Sequence, residues 1–414
     1  MSDSIIYHID VNSAFLSWQA KHMLEYGKTD VDLRQIPSAV GGSEEHRHGV
    51  VLAKSPSAKA FGVRTGEPLV QARKKCPDLV VVPPRFDIYV ANSKAFLSLL
   101  EEHSPVIEQY SIDEAFCDMT GMELLHGDPV AYAVQLKEEI KNRLGFTVNI
   151  GVSTNRLLAK MASDFTKPDK VHTLFPDEIS KKLWPLPVED LFFVGHSTAA
   201  KLKTLGIRTI GDLAHTDLDL IRSHFKKHGE IIWNYANGHD TEMPLRDKNA
   251  ANKGYGNSIT THDDVTDRET ALRILLSLCE TVGARLRADR AYISVVSVLL
   301  VDHEFHHSSK QTTLPVTTNV TEKIYDTVVT LFDKLWNKAP LRLLGVSTSH
   351  AGTEKYEQYN LFDMDKYEKL SKLNQAIDTI RDRYGEDSVK RACFIDSEVS
   401  HMSEGLSKAK RKNS

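Results

Sequence analysis

The sequence predicts an α+β protein built around two separate sheets. Residues 5–152 read as strand, helix, strand, strand, helix, strand, and residues 255–350 repeat that order. Between them, from about 179 to 237, the chain changes to short helices separated by glycine. The strand–helix–strand–strand–helix–strand order suggests a ferredoxin-like sheet covered by helices. The opening run Ile5-Ile6-Tyr7-His8-Ile9 is short and apolar, as a buried strand is, and it ends at Asp10. A helix follows over 14–24. Gly62 and Gly66 mark a turn before a helix at 68–75, and Pro83-Pro84 breaks the chain ahead of a helix at 87–102. Two short strand-like stretches lie within 107–119, then a helix at 129–144 and a strand at 147–152. The segment 36–79 reads as an insertion. The second series runs 255–261, 267–288, 291–301, 305–316, 321–337 and 341–350. Residues 242–253 read as a polar linker, and a last helix is expected over 366–384.

A chain of 414 residues allows about two to four domains. With 41% apolar and 26% charged residues it can build an ordinary core. The longest apolar run, 292–301, is half the length of a membrane span, so no membrane association is expected. Cys76, Cys117, Cys279 and Cys393 lie far apart, which fits a reducing cytoplasm better than a disulfide framework. The net charge of −4 advertises no polyanion, so any nucleic-acid surface must be local. The basic end Lys408-Ala409-Lys410-Arg411-Lys412 is expected to be disordered.

Two places join acids to apolar strands. Asp10 ends the first strand, and Ser111-Ile112-Asp113-Glu114-Ala115-Phe116 carries two adjacent acids. A carboxylate at the end of a buried strand is costly unless it is paired or holds a cation. If the strands are neighbours, Asp10 and Asp113 converge, and oxygen ligands of this kind suit Mg²⁺. Two such ions about 3.5–4 Å apart clamp the attacking and leaving oxygens in phosphoryl transfer. From these residues alone, Asp10 reads equally as a cap for the helix near Ser13, and Asp113-Glu114 as a solvated turn. Phe15 likewise reads as a core aromatic.

The surrounding residues extend the pattern. Ile9-Asp10-Val11-Asn12-Ser13-Ala14-Phe15, Ala60-Phe61-Gly62-Val63, Ser111-Ile112-Asp113-Glu114-Ala115 and the run from Gly151 to Asp164 with Lys167-Pro168 follow one another in an order and spacing that resembles the Y-family of translesion DNA polymerases. The resemblance covers roughly residues 4–350. It implies a right-hand polymerase with a ferredoxin-like palm (1–35 and 80–178), small fingers (36–79), a helical thumb (179–241), a linker (242–253), a separate βαββαβ little finger (254–351) and a tail (352–414). It implies template-directed addition of deoxynucleoside triphosphates to a primer on template DNA by a monomer in the cytoplasm, associated with the nucleoid. Asp10, Asp113 and Glu114 would hold two Mg²⁺ ions, with the Val11 carbonyl completing one shell. Phe15 would be the steric gate against a 2′-hydroxyl, and Lys59, Lys160 and also Lys54 would bind the triphosphate. The family's usual Tyr and Arg in the fingers are here Pro56 and Lys59; Lys neutralises phosphate without Arg's planar fork. With no region left over for an exonuclease, low fidelity is expected.

Leu191-Phe192-Phe193-Val194-Gly195-His196-Ser197 through Lys201 and Leu202 looks like a helix–hairpin–helix, with Phe193 in place of the usual first Gly. Gly195, Ser197 and Lys201 would face a DNA phosphate. In the tail, Gln358-Tyr359-Asn360-Leu361-Phe362 resembles the peptide by which bacterial polymerases bind the sliding clamp, with Gln358, Leu361 and Phe362 as anchors. His303-Glu304-Phe305-His306-His307 matches a zinc-protease pattern, but that pattern needs a helix and a strand is expected here. Two rivals share parts of the reading. A palm-fold nucleotide cyclase would pair Asp10 with Asp113 but has no use for a thumb hairpin. A catalytically silent DNA- or clamp-binding homologue would not need all three acids.

Overall fold

The structure, a computed structural model, describes residues 4–27, 29–42, 49–240, 252–353, 364–395 and 397–402. The chain divides into two compact units, Met1–Gly42 with Val50–Lys248, and a second consisting mainly of Asn249–Ser414. Among the described residues no helix is long and apolar enough to cross a membrane.

In the first unit β1 (Ile6–Val11) leads into α1 (Ala14–Glu25). An excursion follows through β2 (Ser38–Gly41), β3 (Val51–Lys54), α2 (Pro56–Ala60), α3 (Leu69–Lys75) and β4 (Val80–Val82). The chain then returns through α4 (Phe86–Glu101), β5 (Val106–Gln109), β6 (Glu114–Asp118), α5 (Glu123–His126), α6 (Pro129–Leu144), β7 (Val148–Ser153), α7 (Arg156–Asp164) and β8 (Val171–Thr173). The sheet order is β5-β6-β1-β7-β8. Its first four members are mutually antiparallel in ferredoxin-like order, and β8 adds a parallel edge.

β1 is buried along its whole length, and its two faces do different things. Tyr7, Ile9 and Val11 enter the main core with Trp18 of α1, Phe96 of α4 and Ile140 of α6. Ile6, His8 and Asp10 take the opposite face by the two-residue period of a strand. There Ile6 packs with Phe116 and with Ala159 of α7. Asn155 caps α7, its side chain accepting from the Leu158 N–H at 2.8 Å. The helix lies so close to β7 that a Cβ on Gly151 would run into the Ala159 carbonyl and the Ser163 N–H.

The excursion builds its own three-stranded sheet, β3-β2-β4, over a small core that includes Ala39, Val51, Leu69 and Leu79. Its third strand lies beyond the expected 36–79 segment, because Ser38–Val40 pair in parallel with Val80–Val82. After β8, a π-helical turn (Ile179–Leu183) and a 3-10 turn (Val188–Asp190) precede α8 (His196–Thr204), α9 (Ile210–His215) and α10 (Leu218–Ala236). These close around Leu183, Leu202, Ile210, Leu213 and Ile232.

The second unit comprises β9 (Gly254–Val265), α11 (Arg268–Ala288), β10 (Ile293–Asp302), β11 (His307–Thr318), α12 (Thr321–Leu335) and β12 (Leu341–Ser349), then α13 (Met364–Tyr384). Its sheet runs β11-β10-β12-β9, antiparallel throughout. The central pair is therefore the second and fourth strands, whereas the first sheet centres on its first and third. The same element order has folded into two different strand orders. The zinc-protease pattern spans the β10–β11 turn and the first residue of β11, which equally denies it a helical face.

Residues after α12 are tied to this unit by buried charge. Glu280 of α11 is 5% exposed and accepts from Arg381 Nη1 at 2.8 Å and Arg391 Nε at 2.7 Å. Burial alone would raise the Glu280 carboxyl; Arg391 and Arg381 hold it below the usual range. Arg391 also reaches Glu322 at 2.6 Å, and Arg287 pairs with Asp378 of α13 at 2.6 Å. Most of the expected linker, the clamp-like peptide with Gln358, Leu361 and Phe362, and the basic end lie outside the described residues.

Candidate active site

The centre of the site is a register. Asp10 stands directly opposite Glu114 on β6 and opposite Asn149 on β7. Directly opposed residues of antiparallel strands point to the same face, so Asp10 and Glu114 share one side of the sheet. Asp113 precedes β6; its carbonyl accepts from the Val11 N–H at 3.0 Å, and its carboxylate accepts from Ser111 Oγ at 2.7 Å. Asp10 caps no helix. The residue before α1 is Ser13, which makes no side-chain cap.

Asp10, Val11 and Asp113 line a cavity of about 340 Å³. Lys54, Lys59 and Lys167 line the same cavity, and Phe15 forms part of its wall. Asp10 is 7% exposed and ion-paired to Lys167, which also reaches Asp164 at 2.8 Å. Burial, only partly offset by Lys167, pushes Asp10 up to about 6. Burial also raises Asp113, against the Ser111 hydrogen bond. Lys54 donates to Thr65 Oγ1 at 3.0 Å, and burial together with nearby Lys59 lowers its pKa. Pro56 opens α2 behind Ser55, whose side chain accepts from the Ala58 N–H at 3.0 Å. Proline suits that position because a first-turn N–H has no helical partner.

Phe15 packs within the wall and borders the cavity at once. Its ring stacks on Tyr89 with centroids 4.4 Å apart, yet it remains partly exposed on the cavity. Lys160 stands apart from the other expected lysines. Its ammonium does not line this cavity; it donates to Glu114 Oε2 at 2.8 Å and lies over the rings of Tyr110 (5.2 Å) and Phe192 (5.6 Å). The third lysine of the cavity is Lys167, just past the end of α7. Its sequence carried a signal, a Lys-Pro within the family-like run, but nothing about its direction.

His8 was also passed over, hidden in an apolar strand. It is fully buried, with Nδ1 2.7 Å from Ser163 Oγ and Nε2 3.4 Å from Glu114 Oε2. Burial works to raise Glu114, but His8 and Lys160 hold it at about 2.

At the helical end, Gly195 precedes α8 without a side-chain cap, so Gly195, His196 and Ser197 present an open helix start at the surface. Phe193 adopts φ 72, a left-handed conformation that favours glycine. It therefore keeps the hairpin's bend in a residue that lacks glycine's freedom. Lys201 donates to the His224 carbonyl at 2.6 Å and lies over Phe225.

Among the described residues, two groups of three side chains have ligand atoms within 4.8 Å of one another, Glu102/His103/Glu139 and Asp302/Glu304/His306. Neither includes the cavity acids; Asp10 is paired with Lys167, and Asp113 accepts from Ser111.

Sheet-borne carboxylates opening on a lysine-rimmed cavity define an enzyme of the phosphoryl-transfer class. Comparison with known proteins narrows that class. The impB/mucB/samB family matches residues 9–164, its C-terminal domain matches 252–361, and a thumb domain described for DNA polymerase-iota matches 189–240. DNA polymerase IV of Clostridium acetobutylicum is 45% identical over 394 residues, covering 95% of this chain and 99% of that protein. DNA polymerase IV of Alkaliphilus oremlandii is 37% identical, covering 94% and 99%. A solved Y-family DNA polymerase chimera superposes with a TM-score of 0.70 at 23% identity, over 83% of this chain and 98% of that one. The chain belongs to the impB/mucB/samB family of Y-family DNA polymerases.

Proposed function

We propose that this chain is a template-directed DNA polymerase of the translesion type, adding deoxynucleotides to a primer 3′-end with low fidelity and no proofreading. One observation carries the reading: Asp10, Asp113 and three lysines line one cavity, with Glu114 directly across the strand pair from Asp10. In this reading 1–35 and 80–178 form the palm, 36–79 the fingers, 179–241 the thumb and 254–351 the little finger, joined by a linker at 242–253.

The donor set fits Mg²⁺. All the donors are oxygens, and Asp10 is a buried carboxylate whose charge is costly without a cation beside it. Asp10, Asp113, Glu114 and the Val11 carbonyl would hold two ions. When bound, these supply Lewis acidity at the transferring phosphorus and clamp the entering and leaving oxygens. The protein does the rest. Lys59 and Lys160, and also Lys54, would neutralise the triphosphate, and Lys167 lines the same cavity as Lys54 and Lys59. Phe15, backed by Tyr89, leaves no room for a ribose 2′-oxygen. The helix start at Gly195 and Ser197 offers backbone N–H groups to a DNA phosphate, and Lys201 adds positive charge nearby. Gln358, Leu361 and Phe362 would dock on a bacterial sliding clamp. The enzyme would act as a monomer in the cytoplasm.

Primer extension on undamaged and abasic templates tests the reading. The wild-type chain should extend both. Asp113→Ala should abolish extension while duplex binding changes little, because the carboxylate acts in the transition state whereas binding comes from phosphate contacts elsewhere. Substantial extension by Asp113→Ala would overturn the metal assignment.

A further inference from the structure

We infer that Thr65 is a positioning residue for nucleotide binding: its hydroxyl holds the Lys54 ammonium at the cavity wall, where Lys54 and Lys59 together receive the triphosphate. The inference rests on the polymerase reading and adds to it a residue that serves the substrate through a neighbour.

The three lysines of the cavity are not equivalent. Lys167 is ion-paired with both Asp10 and Asp164. Among the described residues, Lys54 and Lys59 form no ion pair. Burial and then the charge of Lys59 lower the Lys54 pKa, so two like charges share one wall. Glu67 acts on Lys54 from a distance, but its carboxylate is already engaged by Lys75. A cavity wall with unbalanced positive charge attracts a polyanion. The residues beside the two lysines offer it little. Pro56 has neither an N–H nor a hydroxyl. The Ser55 oxygen accepts from the Ser38 and Ala58 N–H groups at 3.1 and 3.0 Å.

Lys54 donates to Thr65 Oγ1 at 3.0 Å, and both residues line the cavity. An ammonium has three donors, so two remain for a ligand. The partner is a neutral hydroxyl, which directs the charge without cancelling it. A lysine head rides on a flexible four-carbon stem, and holding it in place beforehand removes part of the entropy lost on binding.

The hydroxyl stands in a turn that is itself held. Gly62 and Gly66 take φ of 82° and 85°. The Gly66 N–H donates to the Val51 carbonyl at 2.7 Å, and the Val51 N–H donates to the Glu67 carbonyl at 2.9 Å. These bonds tie the turn to the first residue of β3, and Lys54 is the last residue of that strand. The Glu67 carboxylate accepts from the Arg64 N–H at 2.9 Å and from Lys75, which also donates to the Gly62 carbonyl at 3.0 Å. One strand and one turn therefore set both lysine and hydroxyl, with Lys59 on the α2 helix between them in sequence.

The test compares Thr65→Val, Thr65→Ser, Lys54→Met and the Thr65→Val/Lys54→Met double variant in the full chain, with thermal melting to confirm folding. Two readouts are taken: kcat and KM in single-nucleotide insertion for each of the four deoxynucleotides, and inhibition by tripolyphosphate at fixed free Mg²⁺. Thr65→Val should raise KM about three- to tenfold, with kcat within about twofold of wild type. The factor should be the same for all four nucleotides, because the phosphates are common to them. Tripolyphosphate, which has neither base nor sugar, should lose inhibitory strength by a similar factor. Thr65→Ser keeps the hydroxyl and should restore both. In the Lys54→Met background Thr65→Val should add nothing, because the hydroxyl acts through the lysine. If Thr65→Val does not fold, Thr65→Ala takes its place with the same expectations. Unchanged KM and tripolyphosphate inhibition in Thr65→Val overturn the inference. So does an equal loss in Thr65→Ser, which would mean methyl packing, or a further loss in the double variant, which would mean that Thr65 acts without Lys54. A loss that differs among the four nucleotides would place Lys54 against the base and overturn it too. Failure of the wild-type chain to extend a primer would instead overturn the polymerase reading on which the inference stands.

Discussion

The ring of Phe15 stacks on Tyr89 and also borders the lysine-lined cavity. Phe15→Ala keeps the backbone and opens the space where a 2′-hydroxyl would sit. The efficiency for a ribonucleotide relative to its deoxy counterpart should therefore rise, as measured by competing the two in single-nucleotide insertion; an unchanged ratio would leave Phe15 as core packing only. Asp10 shows the opposite economy, a residue kept at a cost in stability. Its carboxyl titrates at about 6 in the folded chain against an ordinary 3.8. An acid with a raised folded pKa adds no cost below about pH 4; the cost grows between about 4 and 6 and stays constant above. In metal-free protein Asp10→Asn should therefore raise the melting temperature at pH 7, by up to roughly 3 kcal/mol of stability, and leave it nearly unchanged at pH 4. Melting curves with chelator at the two pH values check this. A gain of the same size at both would show that the carboxylate charge is not the cause.

Most elements were legible from local patterns, and the reasons are physical. Alternating apolar runs and the breaks at Gly62, Gly66 and Pro83-Pro84 set the ends of α1, α3 and α4 within two residues of those observed. β9 runs four residues past the expected 261, to Val265, across a register shift against β12. Strand order was not legible. Two stretches with one element order adopted different sheets, because order depends on which crossovers pack together across the chain. Side-chain direction was equally hidden: Lys160 and Lys167 look alike in sequence, yet one meets Glu114 and the other Asp10. Nor did the pattern show that the tail helix α13 is held by Glu280. Removing one member of a buried ion pair costs about 3–5 kcal/mol, because the partner charge stays buried. Glu280→Ala strands Arg381 and weakens Arg391, so amide protection in α13 should fall sharply in hydrogen exchange while β10 keeps its own.

For the molecule as a whole, the clamp-like peptide falls between β12 and α13, two elements of the same unit. Under the proposed function, replacing Leu361 and Phe362 together by Ala removes two apolar anchors worth at least ~2 kcal/mol each. Since about 1.4 kcal/mol is tenfold, clamp affinity should drop by well over an order of magnitude. Extension of a short primer without clamp should be unaffected, and processivity with loaded clamp should fall to the clamp-free level. Unchanged stimulation would place the contact elsewhere; lost clamp-free activity would make the segment structural.

Gly151 has a consequence for heredity. The space above it is filled by the backbone of α7, at Ala159 and Ser163, which no rotamer change can move aside. Glycine is the smallest residue, so every missense change in this codon adds atoms where none fit, and the gentlest of them, alanine, already pushes on the helix that carries Lys160 and Ser163. Gly195, with open space around it and an ordinary φ, stands at the other extreme. In a population of drifting sequences, the Gly151 codon admits only silent changes, while at Gly195 the protein itself sets no such limit.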